Sequence, residues 1–125
     1  MSCVDPFHAA RIAGSLDTID KFGGIKNIME KNADLYDFVY ERLDAMNFKI
    51  LSPKTRGQHG GAISVIIEKA IKQKVMKIMD ERCIIVDFRD LNDEKTTVRA
   101  GLVAMYNDME DAEALVQAFK EVKAL

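Results

Sequence analysis

The spacing of apolar residues changes after Asn47, and this change constrains the fold more than any other feature of the sequence. Before Asn47, apolar residues recur three or four positions apart, which predicts helices. After it, the apolar runs are short, alternating or β-branched, and polar turns separate them, which predicts strands. A chain of 125 residues has the size of one domain. We therefore expect a single domain over 1–125, with a helical segment at 1–47 and an α+β sandwich at 48–125.

Two helices are expected in the first segment. Asp5 followed by Pro6 is typical of a helix start. Gly23 and Gly24 can adopt the left-handed conformation that ends a helix. The second helix should run from about Ile25 to Met46. Its apolar stripe consists of Ile28, Leu35, Val39, Leu43 and Met46.

Four strands and two further helices are expected after Asn47. The expected strands are Phe48–Leu51, Ala62–Ile67, Ile84–Phe88 and Thr97–Gly101, and a helix ending near Arg82 separates the second strand from the third. Asn107, with Glu110 three residues later, should cap the last helix. The order α-α-β-β-α-β-β-α predicts an α+β two-layer sandwich with helices on one face of a largely antiparallel sheet.

Composition and charge exclude several classes of partner. The formal net charge is −2, from 18 basic and 20 acidic residues, so nothing indicates binding to nucleic acid or anionic lipid. No apolar run approaches the roughly 20 residues of a membrane span. Two cysteines, Cys3 and Cys83, and two separate histidines form neither a disulfide framework nor a metal-ligand cluster. The N-terminus lacks a signal-peptide pattern, so a cytoplasmic location is expected.

Arg99 is the first candidate for a binding residue. In a strand, Val98 and Ala100 take one face and Arg99 takes the other. A guanidinium in this position could hold a small carboxylate ligand with two parallel hydrogen bonds. The structural alternative is an ion pair with a neighbouring acid such as Asp87.

Arg56 and His59 are further candidates because they lie in the polar, glycine-rich loop Ser52–Gly61. A loop histidine can move a proton or contact a substrate, and it can equally be a solvated loop residue. The three glycines of the loop could let backbone amides approach an anion, although a plain hairpin connection explains them as well. The phosphate-loop pattern is absent because no Gly-Lys-Ser/Thr triplet follows.

Four stretches of the chain resemble kynureninase. Cys83–Arg89 resembles "G-I-x-x-D-x-R", and Val98–Asn107 resembles "I-R-V-A-P-V-P-L-Y-N". Arg56–His59 resembles the "R-G-S-H/Q" loop before a strand, and Leu16–Ile25 is similar to "L-D-I-I-D-E-x-G-I". The resemblance covers nearly the whole chain. It is to the C-terminal, small domain of a class V, fold-type I enzyme that uses pyridoxal phosphate, and cysteine desulfurases share a looser version.

Three positions depart from the family pattern. Leu102 and Ala104 replace both prolines of "A-P-V-P-L-Y-N". Cys83 stands where a helix-ending glycine is usual, and a left-handed conformation there disfavours Cys by roughly 1 kcal/mol relative to Gly.

The resemblance implies a function for the whole enzyme and a partial role for this chain. The family reaction cleaves kynurenine to anthranilate and alanine. Arg99 matches the arginine that holds the substrate α-carboxylate, and Arg56 and His59 would lie near the mouth of the active site. The Schiff-base lysine and the phosphate-binding loop of the family precede this region, and none of the twelve lysines matches that motif. We therefore expect no catalytic residue and no cofactor-binding residue in this chain, and no activity of the chain alone.

Two other functions remain open at this point. The chain could be a non-catalytic binding or assembly module, or the small domain of another class V aminotransferase or cysteine desulfurase. Its first helix carries several large apolar residues: Phe7, Ile12, Leu16, Ile19 and Phe22. We therefore expect association through the N-terminal helices, either with a second copy or with a chain that carries the cofactor domain.

Overall fold

Residues 6–125 of the computed structural model are described, and they form four α-helices and one four-stranded sheet. The helices are α1 (Pro6–Lys21), α2 (Gly24–Ala45), α3 (Lys72–Glu81) and α4 (Met109–Lys123). The strands are β1 (Lys49–Ile50), β2 (Ala62–Glu68), β3 (Asp87–Asp90) and β4 (Lys95–Gly101), and a short 3₁₀ turn, Lys69–Ile71, leads into α3. This order confirms the predicted α+β fold. The expected helix start at Asp5 lies outside the described residues.

The sheet has the order β1-β2-β4-β3, and every neighbouring pair is antiparallel. Residues of β2 and β4 alternate between the two faces of the sheet. The apolar residues of the inner face pack against α2, α3 and α4. The core residues from the central strands are Ile63, Val65, Ile67, Val98 and Ala100. The outer face carries Ala62 and Ile66 as well as the polar Ser64 and Arg99, and it positions the candidate site.

The third strand begins three residues later than predicted, at Asp87 instead of Ile84. The reason is the end of α3, where Cys83 is left-handed with φ 56°. The Ile84 N–H donates to the Met79 carbonyl (2.9 Å), and the Cys83 N–H donates to the Asp80 carbonyl (3.0 Å). This pair of bonds is a Schellman motif, so the chain is still closing the helix where the apolar run suggested a strand.

The N-cap of α4 is Asp108, so the predicted cap at Asn107 with Glu110 is wrong by one residue. The Asp108 Oδ1 accepts from the N–H groups of Glu110 (2.8 Å) and Asp111 (3.1 Å), and the Asp111 carboxylate accepts from the Asp108 N–H in return. Asn107 has another role, since its Oδ1 accepts from the Val103 N–H (3.1 Å). Both residue types cap helices well, and the backbone path decides which one reaches the free N–H groups.

The first helix lies outside the core. Phe7, Ile12 and Leu16 are 76%, 61% and 56% exposed, whereas the middle of α2 is buried. Gly23 and Gly24, with φ 84° and 80°, end α1 as predicted. Within the described range, no helix combines the length and the apolar character that crossing a membrane requires.

Candidate functional site

Arg99 lies at the centre of the outer sheet face. It is exposed on β4, with Ser64 of β2 opposite it on one side and Asp87 of β3 on the other. Its chain neighbours Val98 and Ala100 are buried on the inner face. The predicted alternation is therefore confirmed, and a paired central strand holds the backbone of Arg99 in place.

The guanidinium of Arg99 has no carboxylate within ion-pair distance among residues 6–125. Asp87, its cross-strand neighbour, instead accepts from Arg89, with Nε to Oδ2 at 2.7 Å. The pKa of Asp87 is lowered mainly by this hydrogen bond from Arg89, and the charge of Arg99 contributes less. The alternative suggested by the sequence, an Arg99–Asp87 ion pair, is thus not formed, and the Arg99 side chain is left open to an external anion.

Arg56 binds two carboxylates of α2. Its Nη2 lies 2.7 Å from Asp34 Oδ1, and its Nε lies 2.6 Å from Asp37 Oδ2. These hydrogen bonds raise the pKa of Arg56, and the one that Arg56 donates to Asp34 contributes most. The contacts fasten the loop before β2 onto α2, and a direct contact of Arg56 with a substrate stays a prediction.

His59 is packed against an aromatic ring. Its imidazole stacks on Tyr36, with ring centroids 3.6 Å apart and planes within 8°. Tyr36 is fully buried, and its hydroxyl donates to the Pro53 carbonyl (2.7 Å). Both imidazole nitrogens are enclosed, with no hydrogen-bond partner among the described residues. The ring is therefore not a freely solvated loop side chain.

The His59 loop and the end of β4 meet at one end of the central strands β2 and β4. The Leu102 N–H donates to the Gly61 carbonyl (2.6 Å). Gly61 has φ 79°, and a Cβ there would lie 3.1 Å from the Leu102 carbonyl oxygen, so the close approach requires glycine. Arg99 precedes Leu102 by three residues on β4, and His59 precedes Gly61 by two on the loop. Both residues are thus near the same end of the β2–β4 pair, but His59 packs against Tyr36 on the α2 side and Arg99 lies on the outer face.

Asn32 of α2 supports this junction, and sequence reasoning did not identify it. Its Oδ1 accepts from the Ala104 N–H at 2.7 Å, across 72 positions of sequence. The N–H groups of Leu102 and Ala104 both donate hydrogen bonds, and proline at either position has no such group. The two departures from the family pattern therefore supply two bonds that hold the segment after β4. The sequence feature that could have identified Asn32 is the position of its amide side chain on α2, next to the buried apolar stripe.

The described residues contain no group of three or more His, Cys, Asp or Glu side chains placed to hold a metal ion. Cys83 is a free, exposed thiol at the end of α3. The chemistry that this arrangement offers is therefore recognition of an anion by Arg99 on a fixed strand.

Comparison with known proteins decides the family. The model of the kynureninase C-terminal domain matches residues 28–119, which is most of the chain. The chain belongs to this family. The match confirms the resemblance seen in the sequence motifs.

Individual relatives agree with this assignment. Kynureninase 2 of Neurospora crassa is 26% identical over 114 residues, covering 86% of this chain and 23% of the relative. Kynureninase 1 of Chaetomium globosum is 26% identical over 125 residues, covering 91% of this chain and 24% of the relative. The chain thus spans about a quarter of the length of these curated relatives.

The fold also matches a solved structure. The apo structure of cysteine desulfurase from Thermococcus onnurineus NA1 has a TM-score of 0.73 and 24% identity, covering 86% of this kynureninase-like domain and 28% of that chain. This likeness shows a shared fold.

Proposed function

We propose that this chain is the substrate-side domain of a kynureninase-like hydrolase, which cleaves kynurenine to anthranilate and alanine with pyridoxal phosphate. In this proposal, Arg99 binds the α-carboxylate of the substrate. The observation that carries it is an exposed arginine on a central strand with no carboxylate partner among the described residues.

The setting of Arg99 suits recognition of a carboxylate. A guanidinium presents two parallel N–H groups that match both oxygens of a carboxylate. Because β4 is paired on both sides, the strand keeps the Arg99 backbone in place, and only the side chain has to be ordered on binding. His59 would form part of the wall at the same end of the sheet. Arg56 would keep the loop that carries His59 against α2.

We propose that the cofactor is held by another part of the enzyme. A lysine that forms a Schiff base is commonly activated by desolvation or by a neighbouring cation. The twelve lysines all belong to the described part of the chain, and none of them is buried. The half-buried Lys69 and Lys72 form ion pairs with Asp90. These residues do not fit a Schiff-base site, so we assign no step of the reaction to a cofactor bound here.

A second candidate function is a non-catalytic assembly module. The apolar side chains exposed on α1 favour docking of another protein surface. The same surface is compatible with the first proposal, in which a chain or segment that carries the cofactor docks there. The cysteine desulfurase alternative is supported only by the shared fold.

Substitution of Arg99 tests the proposed function. The purified chain would be combined with the N-terminal three quarters of Neurospora crassa kynureninase 2, and anthranilate would be followed by its fluorescence. Arg99→Lys keeps the charge but loses the two-pronged geometry. We expect it to weaken apparent substrate binding by about 1.5–3 kcal/mol, the range for a hydrogen bond to a charged group.

Arg42→Lys is the matched control, because Arg42 pairs with Glu113 on the helical side of the domain. The control should leave the apparent KM unchanged. If Arg99→Lys also left the apparent KM and the turnover unchanged, Arg99 would not be the carboxylate-binding residue.

A further inference from the structure

Three charged side chains lie side by side on the outer face of the sheet. Asp87 and Arg89 are two positions apart on β3, so they project from the same face. Asp87 is directly opposite Arg99 on β4, and Arg89 is opposite Thr97. Residues directly opposite each other in an antiparallel pair have Cα atoms only about 4.5–5.5 Å apart. Asp87 therefore lies between two guanidinium groups and can bind either of them.

The structure shows which guanidinium Asp87 binds. The carboxylate accepts from Arg89, with Nε to Oδ2 at 2.7 Å, and it makes no ion pair with Arg99. The Thr97 hydroxyl donates to the Arg89 carbonyl, which further fastens this part of β3 to β4. Because Arg89 binds the Asp87 carboxylate, that carboxylate does not compete with a ligand for Arg99.

The same arrangement sets the local charge around Arg99. Arg89 and Asp87 neutralise each other, so the cluster has a net charge of +1, carried by Arg99. Without Asp87 the cluster would carry two positive charges, and without Arg89 it would carry none. Each such change alters the electrostatic binding free energy of a doubly charged anion twice as much as that of a singly charged anion.

We propose that the Asp87–Arg89 pair is a positioning pair. Arg89 keeps the Asp87 carboxylate off Arg99, and Asp87 holds the cluster at a net charge of +1 instead of +2, which limits the preference of Arg99 for dicarboxylates over ligands with a single carboxylate. The inference rests on the proposed carboxylate-binding role of Arg99 and names the two residues that set its selectivity. Asp87 thus reduces the advantage that a substrate with a second acid group would have at Arg99.

The test follows the Arg99 Nε–H signal of the ¹⁵N-labelled chain by NMR, assigned by its disappearance in Arg99→Lys. The chain is titrated with propionate and with succinate at constant ionic strength, and the ratio of the two affinities is measured. Removing one charge about 6 Å from the ligand changes affinity by about threefold per ligand charge in water. In Asp87→Asn, the preference for succinate over propionate should therefore rise about threefold. In Arg89→Gln it should fall about threefold, and propionate should bind more weakly.

Asp87, Arg89 and Arg99 are all exposed, so these variants should fold like the parent chain. Glu81→Gln is the control, because it changes the net charge of the chain as Asp87→Asn does but lies on α3. It should leave the affinity ratio unchanged.

Each outcome decides a different point. Opposite shifts of the ratio in Asp87→Asn and Arg89→Gln support the inference. If the Arg99 signal responds to propionate but neither variant changes the ratio, the selectivity role is overturned and the carboxylate-binding role stands. If the Arg99 signal of the parent chain responds to neither acid, the carboxylate-binding role itself fails, and the inference fails with it.

Discussion

At the scale of single residues, Arg99 differs from the arginines that bind carboxylates of this chain. Arg42, Arg56, Arg82 and Arg89 each bind a carboxylate, whereas Arg99 binds none among the described residues. The outward position of Arg99 was predictable, because alternation with Val98 and Ala100 fixes its face. The choice of Asp87 between Arg89 and Arg99 was not, because it depends on side-chain geometry and not on spacing.

Asp90 provides a residue-scale prediction about acid stability. Lys69 and Lys72 bind its carboxylate at 2.9 and 3.0 Å. Hydrogen bonds from these lysines, that from Lys69 first, hold the pKa of Asp90 far below its usual range. The unfolded chain therefore takes up the Asp90 proton at a higher pH than the folded chain does. The resulting stabilisation is present above the unfolded pKa of about 4 and is lost as the pH falls towards the folded value.

We expect Asp90→Asn to lose stability less steeply than the parent chain as the pH falls below about 4. Urea unfolding at a series of pH values would measure this slope. Asp93→Asn, in the adjacent turn, is the control and should keep the slope of the parent chain. Identical slopes for the parent chain and Asp90→Asn would show that the two lysines do not stabilise the fold through this carboxylate.

At the scale of elements, the periodic segments were predictable and their ends were not. The stripe Leu35, Val39 and Leu43 is buried as predicted, since a helix must bury its apolar face. The run Ile84–Val86 has the composition of a strand, but the Schellman motif at Cys83 occupies its backbone first. Asn32 was missed because its partner, the Ala104 N–H, is brought near only by the tertiary fold.

The cap of α4 provides the element-scale prediction. Asp108→Ala removes the acceptor for two free N–H groups, and we expect a loss of about 1 kcal/mol in the free energy of unfolding. Asp108→Asn keeps an acceptor oxygen and should be nearly neutral. Urea unfolding of both variants measures the difference. Equal stability of the two variants would contradict the assignment of Asp108 as the cap.

At the scale of the whole molecule, the α+β sandwich has a core of its own but leaves α1 without buried contacts along most of its length. A helix of 16 residues is marginal in water without tertiary packing. Ile12 and Leu16 are exposed on α1, and Ile25 and Met29 are exposed at the start of α2. We propose that this surface is covered in the working protein, by a second copy or by the part that carries the cofactor.

We expect the purified chain to have a mass above 14.1 kDa at high concentration, as measured by light scattering. The double substitution Ile12→Glu and Leu16→Glu should shift it towards the monomer, because it places charge on the exposed apolar face. Lys74→Glu, on α3, is the control and should not change the mass. A monomer at all concentrations, with no binding to the N-terminal part of a kynureninase, would count against a covered α1.

The most direct test of the central claim is the rate of anthranilate formation from kynurenine in the presence of pyridoxal phosphate. We predict no turnover above background by the 125-residue chain alone, and turnover when it is combined with the N-terminal three quarters of Neurospora crassa kynureninase 2. Turnover by the chain alone would place a cofactor site within it and contradict its assignment as the substrate-side domain.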